Sequence, residues 1–289
     1  MRLQTALTLG RTSNLPTVWG NVLVGTVAVG ADPVDWRVAL VIVAVSLAYL
    51  GGMFLNDAFD VPFDTQHRPD RPIPAGEVSR RAVFGWGFGM LAAALAVLFV
   101  AGTLGQPGSG LRPFAAGLVL ASAIVFYDWR HKGNPLAPVV MGTCRGLIYV
   151  VAAVAVSETA AGAWLPGLLL VCYVAGLTYL ARQEHLNRLT SGWPLVPLGV
   201  PAVWAGWQAM ADPLALVFWV AFVAWVAWAV RLLWRRQPGD VPQGVGCLIA
   251  GICLWDALLL AILGKPVLGL VAVAFFVGTR VFQRHVQPT

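Results

Sequence analysis

The sequence predicts an all-α integral membrane protein, a bundle of nine or ten transmembrane helices. Three observations lead there. Of 289 residues, 58% are hydrophobic and 11% charged, with a mean hydropathy of +0.75, a composition foreign to soluble domains. The apolar residues fall into runs of about 20, the length that crosses a hydrocarbon core as a helix. The charges collect in the connections on one face of such a bundle.

Taken in order, the spans fall near residues 14–29, 34–56, 79–103, 113–127, 135–157, 163–181, 193–210, 214–234, 244–263 and 267–283. The break at Gly264-Lys265-Pro266 is either a tight hairpin between two spans or a kink in one, which sets the count at ten or nine. Ser79 has the chemistry of an N-cap for the third span. The chain reads as one domain over 1–289, with no linker and no fixed-period repeat. No short leader with a cleavage site precedes the first span, so that span is expected to be retained.

Charge sets the orientation. If the N-terminus and the acidic connection after the second span lie on the cytoplasmic side, ten spans leave Arg37, Arg112 and Lys265 outside and Arg145 within a span. The remaining 15 of the 19 Lys and Arg fall inside, as the positive-inside rule requires. Nine spans strand Arg280 and Arg284 outside. A multi-pass protein of the inner (plasma) membrane follows, with its polar loops cytoplasmic. Topology accounts for the formal charge of +6, which therefore calls for no nucleic-acid partner. Arginine outnumbers lysine 17 to 2, a bias that points to a GC-rich bacterial genome. The four cysteines, Cys144, Cys172, Cys247 and Cys253, sit inside apolar spans without a Cys-x-x-Cys pair and read as small packing residues.

The chemistry concentrates after the second span. Three of the 13 acidic residues, Asp57, Asp60 and Asp64, fall within eight positions and follow Asn56. Asn56, Asp60 and Asp64 are spaced i,i+4, so a helix stacks them on one flank. Such carboxylates repel unless a cation lies between them. Mg²⁺ takes one or two carboxylates and fills its shell with phosphate oxygens. The alternative is a solvated helix end that keeps the span in register.

The Asn56-x-x-x-Asp60-x-x-x-Asp64 spacing and the following Arg68-Pro-Asp-Arg71-Pro-Ile-Pro resemble the first aspartate motif of the UbiA superfamily of membrane prenyltransferases. A second stretch, Tyr127-Asp128-Trp-Arg-His-Lys132-Gly-Asn134 with Gly142 and Arg145-Gly146, is similar to that family's pattern around the fourth and fifth spans. The opening Arg11-Thr-Ser-Asn14 through Asn21 resembles the first helix of many members. One departure stands out. Where the family carries a second aspartate motif, this chain reads Arg182-Gln183-Glu184-His185-Leu-Asn187-Arg188, with a single carboxylate, a variant that resembles the EboC-like branch.

The resemblance implies a helical bundle around a central cavity that opens to the cytoplasmic face. It also implies Mg²⁺-dependent transfer of a prenyl group from an isoprenoid diphosphate donor to a lipophilic or membrane-proximal acceptor. Asn56, Asp60 and Asp64 become first-choice metal ligands, with Asp57 the alternative and Glu184 facing them. Arg68, Arg71, Lys132 and Arg182 become diphosphate contacts, since arginine matches phosphate bidentately; plain anchoring at the membrane surface explains the same residues. Asn21 joins the substrate-binding set through the first-helix match. Tyr127 orients the diphosphate or shields the cation, and Asp128 accepts a proton or binds metal, unless the pair is an interfacial tyrosine and a helix-end carboxylate. With Asp60 and Asp64 they form the catalytic group.

Arg145 and Asp256 lie inside spans, where ionisable groups face a cavity or a partner. Either Arg145 reaches the diphosphate pocket or the two pair with each other. The aromatic stripe Phe218, Trp219, Phe222, Trp225 and Trp228 offers ring faces that can stabilise a carbocation, but reads mainly as lipid-facing or packing. Gly85-x-x-x-Gly89 permits close helix packing. Two other functions remain open: a non-catalytic isoprenoid- or lipid-binding relative, and a membrane transporter using Arg145 and Asp256. The cluster at one face disfavours the transporter, whose sites usually sit at mid-membrane.

Overall fold

The computed structural model describes residues 1–104, 111–182, 191–235, 237 and 239–286. Among them there are helices and no strands: α1 (Leu3–Leu9), a 3-10 turn (Thr12–Asn14), α2 (Leu15–Ala28), α3 (Trp36–His67), α4 (Arg80–Thr103), α5 (Arg112–Arg130) and α6 (Ala137–Val156), followed by α7 (Ala161–Arg182), α8 (Leu195–Ala209), α9 (Pro213–Arg235), α10 (Asp240–Ile262) and α11 (Pro266–Phe282). By length and composition α3, α4, α6, α7, α9 and α10 can each cross a membrane.

Two boundaries depart from the sequence expectation. The second span does not stop at Asn56; the helix that the i,i+4 spacing implies through Asp64 is continuous with it, and α3 carries the whole acidic cluster on to His67. Pro62 lies within that stretch and offers no N–H to the carbonyl of Ala58. Arg80 supplies the missing donor, its Nε lying 2.8 Å from the Ala58 oxygen, so the helix continues across its own proline. The second departure is α1, whose Leu9 packs with Phe54, Ala58 and Val83 at the ends of α3 and α4. Ser79 caps α4 as its chemistry suggests, accepting from the Ala82 N–H at 3.3 Å.

The Gly264 break is a hairpin. Gly264 takes φ +74 and Lys265 bonds back to the Leu260 carbonyl at 2.8 Å, closing α10 before α11 begins. α10 is buried along almost its whole length, which fits a helix apolar on every side. α3 packs along α4 and α6 along α7. Backbone contact makes these pairings close: a Cβ on Gly87 or Gly51 would run into the opposite helix, and one on Gly146 would meet the Gly167 carbonyl. The expected Gly85 and Gly89 face open space instead; Gly87 between them makes the contact. Most of the aromatic stripe packs, whereas Trp228 is exposed. Phe222 lies against Tyr173 and Trp255, each 5.7 Å away, and the indoles of Trp219 and Trp225 donate to the carbonyls of Ala202 and Cys247.

Candidate active site

A cavity of about 280 Å³ opens between the 3-10 turn, α3, α5, α6, α7 and α10. Its depth is apolar, walled by Val45, Leu120, Ile148, Val174, Ile249 and their neighbours. Its rim is polar: Asn56 and Asp60 from α3, Tyr127 and Asp128 from α5, Arg11 before the 3-10 turn, and Arg68 and Arg71 from the α3–α4 loop. One end is charged and the rest is apolar.

The acidic cluster divides by helix face. Asn56 and Asp60, one turn apart, line the cavity. Asn56 donates from Nδ2 to Oδ1 of Asp128 across the rim at 3.1 Å. The other oxygen of Asp128, Oδ2, is buried with no hydrogen-bond partner among the described residues. Asp60 is held by the loop after α5, with His131 Nε2 at 3.2 Å and Lys132 Nζ at 2.9 Å. Lys132 also lies 4.0 Å over the Phe63 ring. Asp57 points off this flank to a pair of arginines, Arg11 at 3.0 Å and Arg71 at 2.8 Å. Asp64 is 2% exposed, and Arg71 is 3.7 Å from it.

The cavity lining sets Arg11, Arg68, Arg71 and Arg145 against Asp60 and Asp128, which leaves it electropositive. Burial, and next the charge of Arg11, draw Arg71 below the ordinary guanidinium value despite Asp57 and Asp64. A site of this kind favours an added anion. Arg11 is held in the left-handed region at φ 41, with its carbonyl accepting from the Tyr49 hydroxyl at 3.3 Å. A non-glycine residue in that conformation is costly and tends to mark a functional position.

Several expected residues have other partners. Asn21 does not line the cavity; both of its amide bonds, at 3.1 and 3.0 Å, go to Asp256. Arg182 supports the site from behind, donating from Nη2 to the His131 carbonyl at 2.7 Å. Arg145 does not pair with Asp256. It faces the cavity, donates to Thr17 Oγ1 at 3.0 Å and sits 5.1 Å over the Tyr49 ring. Asp256 is sealed off at 0% exposure by Asn21 and the Tyr149 hydroxyl. Glu184, with the rest of the stretch after Arg182 that replaces the second acidic motif, lies outside the described residues.

Sequence reading passed over three contributors: Arg11, Tyr49 and His131. Arg11 and His131 stood inside the motif-like stretches but counted only as surface charge or spacer. Tyr49 carried no signal in an apolar run.

Among the described residues no three of His, Cys, Asp and Glu stand together as a metal cage. Mg²⁺ does not require one, since it binds through one or two carboxylates plus substrate phosphate oxygens. Asp60 and the unpartnered Oδ2 of Asp128 on one rim fit that demand.

Comparison with known proteins agrees with this architecture. A digeranylgeranylglyceryl phosphate synthase of Thermococcus gammatolerans is 31% identical over 163 residues, 56% of this chain and 54% of the relative. Another from Methanopyrus kandleri is 30% identical over 177 residues, 61% of this chain and 60% of the relative. The match thus spans little more than half the length of these relatives. A solved structure described as giving insights into digeranylgeranylglyceryl phosphate synthase in membranes superposes with TM-score 0.58 at 16% identity, over 96% of this chain and 98% of its own, and shares the fold. The family model for UbiA prenyltransferases matches residues 14–190, which contain both motifs and most of the cavity wall. By that match, the chain belongs to the UbiA prenyltransferase family.

Proposed function

We propose that this protein transfers a prenyl group from an isoprenoid diphosphate to a lipid-type acceptor, with Mg²⁺ at the rim of the cavity. One observation carries the reading: an apolar cavity ends in a rim where Asn56, Asp60 and Asp128 face Arg11, Arg68 and Arg71. A prenyl diphosphate has the same division, an apolar chain and a polyanionic head. The arginines hold the diphosphate oxygens, and their fixed charges favour the negative charge that grows on the leaving group. Asp60 and Asp128 are the residues that would hold Mg²⁺, which when bound supplies further charge stabilisation. As the C1–O bond breaks, its electron pair leaves with the diphosphate. The ring faces of Tyr49 and Tyr127 at the cavity wall shield the cation left behind. The acceptor's nucleophilic atom bonds to C1 and gives up its proton to the released diphosphate.

The relatives named digeranylgeranylglyceryl phosphate synthase point to a glyceryl phosphate lipid as the acceptor class. Ten spans with the rim facing the cytoplasm, in the inner membrane, fit the charge distribution. In the transporter reading Asp256 would meet the passing substrate or proton, whereas here it lies outside the cavity lining.

Purified full-length protein incubated with Mg²⁺, labelled prenyl diphosphates and a lipid acceptor tests the reading. Product and free diphosphate are expected, EDTA should abolish both, and Asp60→Asn and Asp128→Asn should each lower turnover about 10²–10³-fold. Turnover unaffected by either substitution would sink the metal assignment. Donor binding without product from any acceptor would favour a non-catalytic isoprenoid-binding protein.

A further inference from the structure

A second recess, of about 620 Å³, lies behind the rim. Five arginines line it: Arg11, Arg68 and Arg71, shared with the cavity rim, and Arg280 and Arg284 from the end of α11 and just beyond it. Against them stand Asp57 and Asp70. Asp57 is already bound to Arg11 and Arg71. Neither Arg68 nor Arg284 has an ion-pair partner within 4 Å among the described residues, so the recess carries uncompensated positive charge.

The positive-inside rule alone would scatter arginines along a membrane surface. These converge from three segments distant in the chain, and the site is braced. Gln283 Nε2 donates to Asn14 Oδ1 and to the Gly246 carbonyl, both at 3.2 Å, tying the end of α11 to the 3-10 turn and to α10. Its Oε1 accepts from Arg280 Nη1 at 2.6 Å, and Arg280 is also stacked 5.5 Å from the Trp225 ring. Part of the cost of ordering these charges is therefore met before any ligand arrives. Arg280, Gln283 and Arg284 also fall outside residues 14–190, the stretch matched by the family model.

We propose that this recess seats a phosphate monoester, the headgroup of the acceptor, beside the diphosphate rim. A dianionic phosphate suits several arginine forks at once. The shared Arg11, Arg68 and Arg71 would hold acceptor and donor headgroups on opposite sides of one basic wall. The proposal rests on the prenyltransferase reading for the word acceptor, but its test needs no turnover.

The test follows thermal unfolding of the full chain in neutral detergent with glycerol 3-phosphate, inorganic phosphate, or pyrophosphate with Mg²⁺. Glycerol 3-phosphate should raise the melting temperature at lower concentration than inorganic phosphate does. Arg280→Gln/Arg284→Gln should raise its half-saturating concentration about tenfold and leave that of pyrophosphate unchanged. Arg284→Gln alone, at an exposed residue without an ion pair among the described residues, should shift it in the same direction and guards against misfolding of the double variant. An unchanged glycerol 3-phosphate midpoint overturns the site. Equal loss for pyrophosphate also overturns it, by making the recess part of the donor site. Protection by inorganic phosphate alone, or as readily as by glycerol 3-phosphate, overturns the headgroup assignment in favour of free phosphate.

Discussion

Asn56 on α3 donates its side-chain amide to Asp128 on α5, 3.1 Å away, and joins the two motif-bearing helices across the rim of the cavity. Both groups are buried, at 7% and 3% exposure, so the bond also decides which oxygen of Asp128 remains to face a ligand. Asn56→Ala removes it and leaves both oxygens to reorient. Prenyl transfer should fall about 10²-fold, as for loss of a positioned acid–base or ligand group, while the donor KM changes much less. A kcat equal to wild type would remove Asn56 from the machinery.

Arg80 and Pro62 form a compensated pair around the Ala58 carbonyl. Arg80→Ala strands that acceptor and is expected to cost about 1–3 kcal/mol, the penalty of a buried unsatisfied group. Pro62→Ala restores a backbone N–H at the right place, so the double variant should be more stable than Arg80→Ala alone. Chemical denaturation in detergent across this double-mutant cycle decides it; strict additivity would show that Arg80 acts elsewhere.

Gly146 packs against the Gly167 backbone where α6 meets α7. Gly146→Leu would push apart two helices that line the cavity. A loss of about 1–3 kcal/mol is expected from overpacking, with weaker donor binding because Arg145 and Ile148 shift with the helix. Gly85→Leu, facing open space, is the matched control and should melt as wild type does.

Tyr149 and Asn21 close around Asp256 outside the cavity lining. Tyr149→Phe should destabilise by about 1–3 kcal/mol, because it removes a hydroxyl donor from a buried carboxylate. Donor and acceptor KM should stay near wild type, since neither Tyr149 nor Asp256 lines the cavity. A selective rise in KM without loss of stability would return this cluster to the binding site.

The helices were legible because burial in lipid demands long apolar runs, and each expected span corresponds to a helix from α2 to α11. The acidic motif was legible for a similar reason. Polar residues are so scarce in such a chain that i,i+4 spacing stands out. The end of α3 was harder to read, because what sustains the helix past Pro62 is the side chain of Arg80, eighteen positions along. The roles of Arg182 and Asn21 were equally hidden. A motif says which residues lie near a site, but not whether a side chain turns toward the cavity or toward a neighbouring carbonyl.

The sequence by itself determined the helical membrane character, the order of the helices, the family and the charged end of the bundle. Composition, spacing and local periodicity are properties of the chain read in one dimension. Only the tertiary structure decided the partners: Asp57 with Arg11 and Arg71, Asp60 with His131 and Lys132, Asp256 with Tyr149 rather than Arg145. Those choices depend on which helix faces are brought together. A buried charge is satisfied by whatever donor packing places within about 3 Å of it, however distant that donor is in the sequence.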